Sequence, residues 1–161
     1  MISANNVTRL LYARRIAYQA LEIPAEKLSA LQVADYLNVP PDMVYKTIVF
    51  KRAAAGKAML ALVAAPLEVD AKKLSAALGE KKVLLTSQRE AEELTGLLAG
   101  GISPLALLNK GFQVIIDRPA RELEAIIISA GQRGLQVRLN PQDLARLTGA
   151  RFGEISQTST G

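Results

Sequence analysis

Three islands of glycine and small polar residues interrupt an otherwise apolar chain. They are Val44-Tyr45-Lys46-Thr47, Gly100-Gly101-Ile102-Ser103-Pro104-Leu105 and Ser129-Ala130-Gly131-Gln132-Arg133-Gly134-Leu135. Each lies at the edge of a strand-like stretch, where residues line a pocket rather than fill a core. Paired glycines let backbone N–H groups approach a ligand with no side chain in between. A lysine nearby adds a fixed positive charge. The chemistry this suits is the holding of an anionic or carbonyl-bearing small group, with the Gly100-Gly101 amides acting as oxyanion-hole donors. The pair does not fit G-x-x-x-x-G-K-[ST], so a P-loop is excluded. Each island also has a plainer role: a tight turn for Gly100-Gly101, a solvated strand face for Lys46 and turn capping for Ser129. Arg133, between two glycines, reads as a surface loop residue or a contact to an RNA backbone.

Two absences narrow the chemistry. The chain has no histidine and no cysteine. That removes the commonest general base and metal ligand, and any disulfide frame, thiolate zinc site or cysteine nucleophile. A nucleophilic Ser129 would need a base, so binding is its expected role. Glu90, Glu92 and Glu93 share one predicted helix and read as solvated charge. Asp117 reads as a turn residue. No carboxylate pair has the spacing of a metal site or an acid–base couple, and neither metal nor cofactor is expected.

The 161 residues fit one domain, taken as 1–161 with a polar, frayed tail over 156–161. Half the residues are hydrophobic, enough for a core at this length. No apolar run reaches the roughly 18 residues of a membrane span, and Met1 to Asn6 lacks the regions of a signal peptide. A soluble, cytoplasmic protein is expected. The net charge of +5 and the basic pairs Arg14-Arg15, Lys51-Arg52, Lys72-Lys73 and Lys81-Lys82 suit a polyanion such as RNA, or simply a solvated surface. Aromatic residues are only 4%, which argues against a base-stacking platform.

The elements that must position the islands follow from periodicity and punctuation. Asn5 to Arg15 predicts a short helix with Leu10 and Leu11 inward, and Ile16 to Ile23 a strand halted by Pro24. Ser29 to Asn38 predicts a helix in which Leu31, Ala34 and Leu37 recur at helical spacing. Tyr45 to Lys51 predicts a strand with Tyr45, Thr47 and Val49 on one face and Lys46, Ile48 and Phe50 on the other. A turn at residues 54–57 returns it as a hairpin through Met59 to Ala65. Asp70 caps a helix to Leu78, and Gly79 ends it. Lys82 to Thr86 is a strand. Ser87 and Glu90 form a capping box for a helix ending near Gly96. Gln113 to Ile116, Ala125 to Ser129 and Leu135 to Leu139 are further strands. Asn140-Pro141 opens a last helix that Gly149 closes. The fold class is α+β: a single domain with a mixed, curled, barrel-like sheet flanked by helices.

In order and spelling the islands resemble the YbaK/aminoacyl-tRNA deacylase family, related to the editing domain of bacterial prolyl-tRNA synthetase. The matching stretches are Val44 to Thr47, Asp70 to Gly79 with Lys72-Lys73, Thr95-Gly96 with Gly100 to Leu105, Ile115 to Asp117, and Ser129-x-Gly131-x-Arg133-Gly134-Leu135. The resemblance covers roughly residues 8 to 155, and the spelling is nearest the Cys-tRNA(Pro) deacylase subgroup. The resemblance implies a curled-sheet domain that hydrolyses the ester between a wrong amino acid and the 3′ end of a tRNA. It implies catalytic roles for Lys46, Gly100 and Gly101, and substrate contacts for Tyr45, Thr47, Ile102, Ser103, Ser129, Gly131 and Arg133. In cysteine-specific members the substrate's own thiol is proposed to attack its carbonyl. The implied partner is the aminoacylated end of tRNA, with prolyl-tRNA synthetase as a further one. The chain departs from the pattern at Glu22 to Ala25, at Ala130 and at Gln136, where the nearest subgroup has an acidic residue. A non-catalytic RNA- or synthetase-binding module, or a regulator binding an amino acid or nucleotide, are the alternatives.

Overall fold

Alternation of side chains decides how the sheets stack. In the computed structural model, which describes residues 4–159, β2 (Tyr45–Arg52) and β3 (Met59–Ala64) form the predicted antiparallel hairpin, with Tyr45 opposite Ala64 and Phe50 opposite Met59. Every residue of β3 is buried, because both of its faces are covered. One face joins Tyr45, Val49, Leu60 and Leu62 to the main core with Ile116, Ile126, Ile128, Leu135 and Val137. The other packs Phe50, Met59, Ala61 and Val63 with Ile115 and Ile155 and under Leu74 of α3 (Ala71–Leu78).

The hairpin is the centre of a five-stranded sheet. β5 (Val83–Leu85) pairs antiparallel with β2, while β6 (Gln113–Asp117) and β9 (Arg151–Gly153) continue it in parallel beyond β3. A second sheet runs β1 (Tyr18–Glu22), β8 (Leu135–Leu139), β7 (Ile126–Ser129), all antiparallel. A bridge between Val44 and Ile127 ties the two together. A two-stranded ribbon pairs β4 (Leu67–Val69) with β10 (Ser156–Thr158). Strands of the first two sheets share the main core, and the described residues form three sheets with no closed barrel.

The helices start and stop where their punctuation places them. Asn5, Ser29, Asp70, Ser87 and Asn140 each accept first-turn amides and open α1 (Asn6–Ala13), α2 (Ala30–Leu37), α3, α4 (Gln88–Thr95) and α5 (Pro141–Thr148). No helix of the described residues is long and apolar enough to cross a membrane.

Four expectations change. The first strand begins at Tyr18, because Arg15 turns left-handed and the Ile16 N–H donates to Leu11 O. Leu31 is 52% exposed, while Val33 and Ala34 turn inward. Asp117 is the fully buried last residue of β6, not a turn residue: its Oδ1 accepts the Ile155 N–H at 3.1 Å, and Oδ2 has no described partner. The tail is not frayed over 156–158, where it forms β10 and the Lys73 ammonium donates to Ser156 O. Residues 160 and 161 of that stretch lie outside the described residues. Of the basic pairs, Lys51 meets Glu90, Arg52 meets Glu80 and Lys73 meets Glu154, so part of that charge is already paired.

Candidate active site

β2 has a neighbour on its outer side only at its two ends. β5 pairs with Phe50 to Arg52 and then departs, its last contact being Thr86, whose N–H and hydroxyl both donate to Val49 O. At the other end Val44 bridges Ile127. Ala65 N–H donates to Val44 O on the β3 side, so alternation sends the backbone N–H and C=O of Thr47 to the open side. A cavity of about 420 Å³ fills this gap. Its walls are the open edge of β2, the start of α2, the β5–α4 corner and the loop after α4; Ser129 and Gln136 of β7 and β8 also line it.

Lys46 and Gly100 both line this cavity. The Lys46 ammonium is half-buried and donates to Ala65 O at 3.2 Å. Burial pushes its pKa down from the usual lysine value, an effect that Glu68 partly opposes. Tyr45 is buried beside it, and its phenol is pushed up by burial and then by the carboxylates of Asp117 and Asp42.

The glycine loop is pinned almost amide by amide. Gly96 N–H donates to Glu92 O, Leu97 N–H to Thr95 Oγ1, and Ala99 N–H to the Glu92 carboxylate at 2.8 Å. Arg133 Nε donates to Ala99 O at 2.7 Å from the far side. Gly101 N–H donates back to Leu98 O at 2.8 Å, so it is not an available oxyanion donor. The N–H groups of Gly100 and Ile102 have no partner among the described residues. Gly100 holds φ +90°, a conformation side chains rarely adopt.

The sequence-predicted residues therefore divide. Lys46, Gly100, Tyr45, Thr47, Ile102 and Ser129 come together around the cavity. Gly101, Ser103, Gly131 and Arg133 are not among its walls. A Cβ on Gly101 would lie 2.9 Å from the Gln132 backbone. Ser103 is fully buried and accepts the Leu105 N–H, opening the 3-10 turn Pro104–Leu107. Gly131 packs against Ala106, and Arg133 braces the glycine loop rather than facing solvent. Glu92, expected to be solvated charge, is the other brace. The sequence reading missed Leu28, Leu31, Leu85 and Thr86 as walls. Leu31 carried a signal, since a leucine at helical spacing that finds no core must face something else. No carboxylate lines the cavity, and no group of acidic residues able to hold a metal occurs among the described residues.

A family described as "Aminoacyl-tRNA editing domain" matches residues 25–147. The chain is 33% identical over 153 residues to an Enterococcus faecalis protein named "Putative Cys-tRNA(Pro)/Cys-tRNA(Cys) deacylase EbsC", covering 94% of this chain and 92% of that one. It is 28% identical over 116 residues to the proline–tRNA ligase of Staphylococcus aureus, covering 72% of this chain and a fifth (20%) of the ligase. Its fold matches the crystal structure of a protein titled "a putative trans-editing enzyme for prolyl tRNA synthetase", with a TM-score of 0.78 at 23% identity over 96% of this chain and 99% of that one.

Proposed function

The chain belongs to the aminoacyl-tRNA editing domain family, and from that premise we propose that it is a hydrolase that deacylates mischarged tRNA, with Cys-tRNA(Pro) as its first substrate. The observation that carries the reading is that Lys46 and Gly100, whose N–H has no partner among the described residues, line one cavity. An aminoacyl ester is already activated, so placing it and stabilising its developing oxyanion supply much of the required acceleration. The cavity provides a cation and an unpaired main-chain donor for that purpose.

The nucleophile comes from outside the protein. With cysteine as the acyl group, the substrate thiol attacks its own carbonyl: a sulfur–carbon bond forms, the bond to the ribose oxygen breaks, and the thiol proton passes to that oxygen. Water then opens the thioester and releases cysteine. With alanine, water attacks directly. Lys46 anchors the terminal adenosine or the ester oxygen, and Thr47 offers backbone groups along the open strand edge. A synthetase that supplies the mischarged tRNA is the further partner in this reading, and prolyl-tRNA synthetase is the first to try.

The test is single-turnover hydrolysis of Cys-tRNA(Pro) and Ala-tRNA(Pro), with the Lys46→Ala protein as the control. Release of cysteine well above the control supports the proposal. Equal rates for the two proteins on every mischarged tRNA tried would refute it and leave a non-catalytic RNA-binding module as the better account.

A further inference from the structure

One polar group in the cavity has no assigned work. Gln136 is the second residue of β8, the central strand of its sheet, between Leu21 of β1 and Ser129 of β7. It is 4% exposed, yet it lines the cavity. Its side chain makes no hydrogen bond to any described residue, and its amide atoms are not among the atoms sealed from contact. A carboxamide buried without a partner destabilises a fold. Leu135 and Val137 turn to the opposite face of the strand and fill the main core, while Gln136 turns to the cavity between its cross-strand neighbours Leu21 and Ser129. The strand is paired along both edges, so its backbone asks nothing of this side chain.

We propose that Gln136 determines the specificity of the site, by hydrogen bonding a thiol or hydroxyl on the side chain of the aminoacyl group. The inference rests on the deacylase reading. A carboxamide offers an acceptor and two donors without charge, which suits a small neutral polar group. Among the described residues the cavity walls carry one cation and no carboxylate, so they offer no ion partner to a basic side chain. Leu28, Leu31, Val33 and Leu85 make the remaining walls aliphatic. A site built to bond a substrate hydroxyl or thiol discriminates strongly against the analogue that lacks it, because its own buried group is then left unpaired. Placement on a doubly paired strand gives the group the rigidity such reading requires.

The experiment uses one tRNA(Pro) acylated in turn with cysteine, serine and alanine, and compares wild type with Gln136→Met and Gln136→Leu by single-turnover deacylation. The methionine variant keeps the length of the side chain and removes its hydrogen bonding. Both variants are expected to lower the cysteine-to-alanine and serine-to-alanine rate ratios about tenfold or more, with the alanine rate within about threefold of wild type. Both should melt at or above the wild-type temperature, an outcome that a structural role for the glutamine would reverse. Ratios unchanged within about twofold in the methionine variant, or an equal fall for all three esters, would overturn the inference while leaving the deacylase reading intact. Wild-type protein that releases none of the three amino acids would remove that reading, and this inference with it.

Discussion

The two glycine-rich islands look alike in sequence and do different work. Around Gly100 the chain is held from both sides, by Glu92 and Arg133, and the N–H groups of Gly100 and Ile102 are left without a partner among the described residues. Around Gly131 and Gly134 the glycines make room for neighbours. A Cβ on Gly131 would lie 2.8 Å from the Ala106 Cβ, and one on Gly134 would lie 3.1 Å from that of Ala25. The first loop leaves a donor open to the cavity; the second lets the chain pack closely, and its Arg133 holds the first in place. Glycine supplies an unusual backbone angle of φ +90° at Gly100 and room for a close neighbour at Gly131, and only the surroundings distinguish the two.

The largest expected effect lies on the cavity side of that contrast. Lys46→Ala should slow single-turnover deacylation by about 100-fold, in the range seen when a charge-stabilising donor is lost. Calorimetry should show a shift of only a few degrees, because the side chain is half-solvated and packs little. A large loss of stability with a proportionate loss of rate would make Lys46 structural instead.

Next come the glycines themselves. Gly100→Val should reduce the rate per folded molecule at least about tenfold, since a branched side chain at φ +90° displaces the loop backbone. Gly131→Ala should instead act on stability. Its strain and close contact cost about 1–3 kcal/mol, or roughly 2–12 °C in Tm for a chain of this size, with the rate per folded molecule within about threefold. If the two variants exchanged phenotypes, the division of labour between the loops would be reversed.

Arg133→Ala should give a smaller change, about fivefold in rate with little change in Tm, because the loop keeps its Glu92 contact. Loss of more activity than in the Gly100 variant would mean that Arg133 touches substrate directly.

The smallest effect is on pH. The folded-state pKa of Lys46 is depressed, so between that value and the usual 10.5 the unfolded chain binds more protons than the folded one. Stability should therefore rise with pH in that window. Tyr45, whose pKa is raised, has the opposite sign and lowers stability as pH passes the usual phenol value of about 10. Melting curves from neutral pH to about 10 should show the rise in wild type and a flatter profile in Lys46→Met.

Much of this was legible in the sequence, for physical reasons. Helix ends are local events: a capping side chain and a left-handed glycine act within one turn. Asp70 with Gly79, and Ser87 with Gly96, were therefore readable without tertiary knowledge. Alternation in β2 likewise placed Tyr45 and Val49 on one face and Ile48 and Phe50 on the other. Strands β4, β9 and β10 were not readable, because three residues carry no period and their partners are distant in the chain. The site divided in the same way. Lys46 and Gly100 stood out by type. Leu31 and Leu85 became walls only through long-range packing, and Gln136 was visible as a departure from the family spelling without its role. The direction of the Gly101 amide depends on one bond to Leu98, which no residue type announces.

The early departure of β5 from β2 has a further consequence. The hollow arises where a seam between strands is left unsewn, not where the interior has been carved away. Its dimensions can therefore drift with the length and tilt of the Leu85-to-Ala91 corner while the central hairpin keeps its full complement of neighbours. A scaffold of this kind can change what it accepts without first becoming fragile.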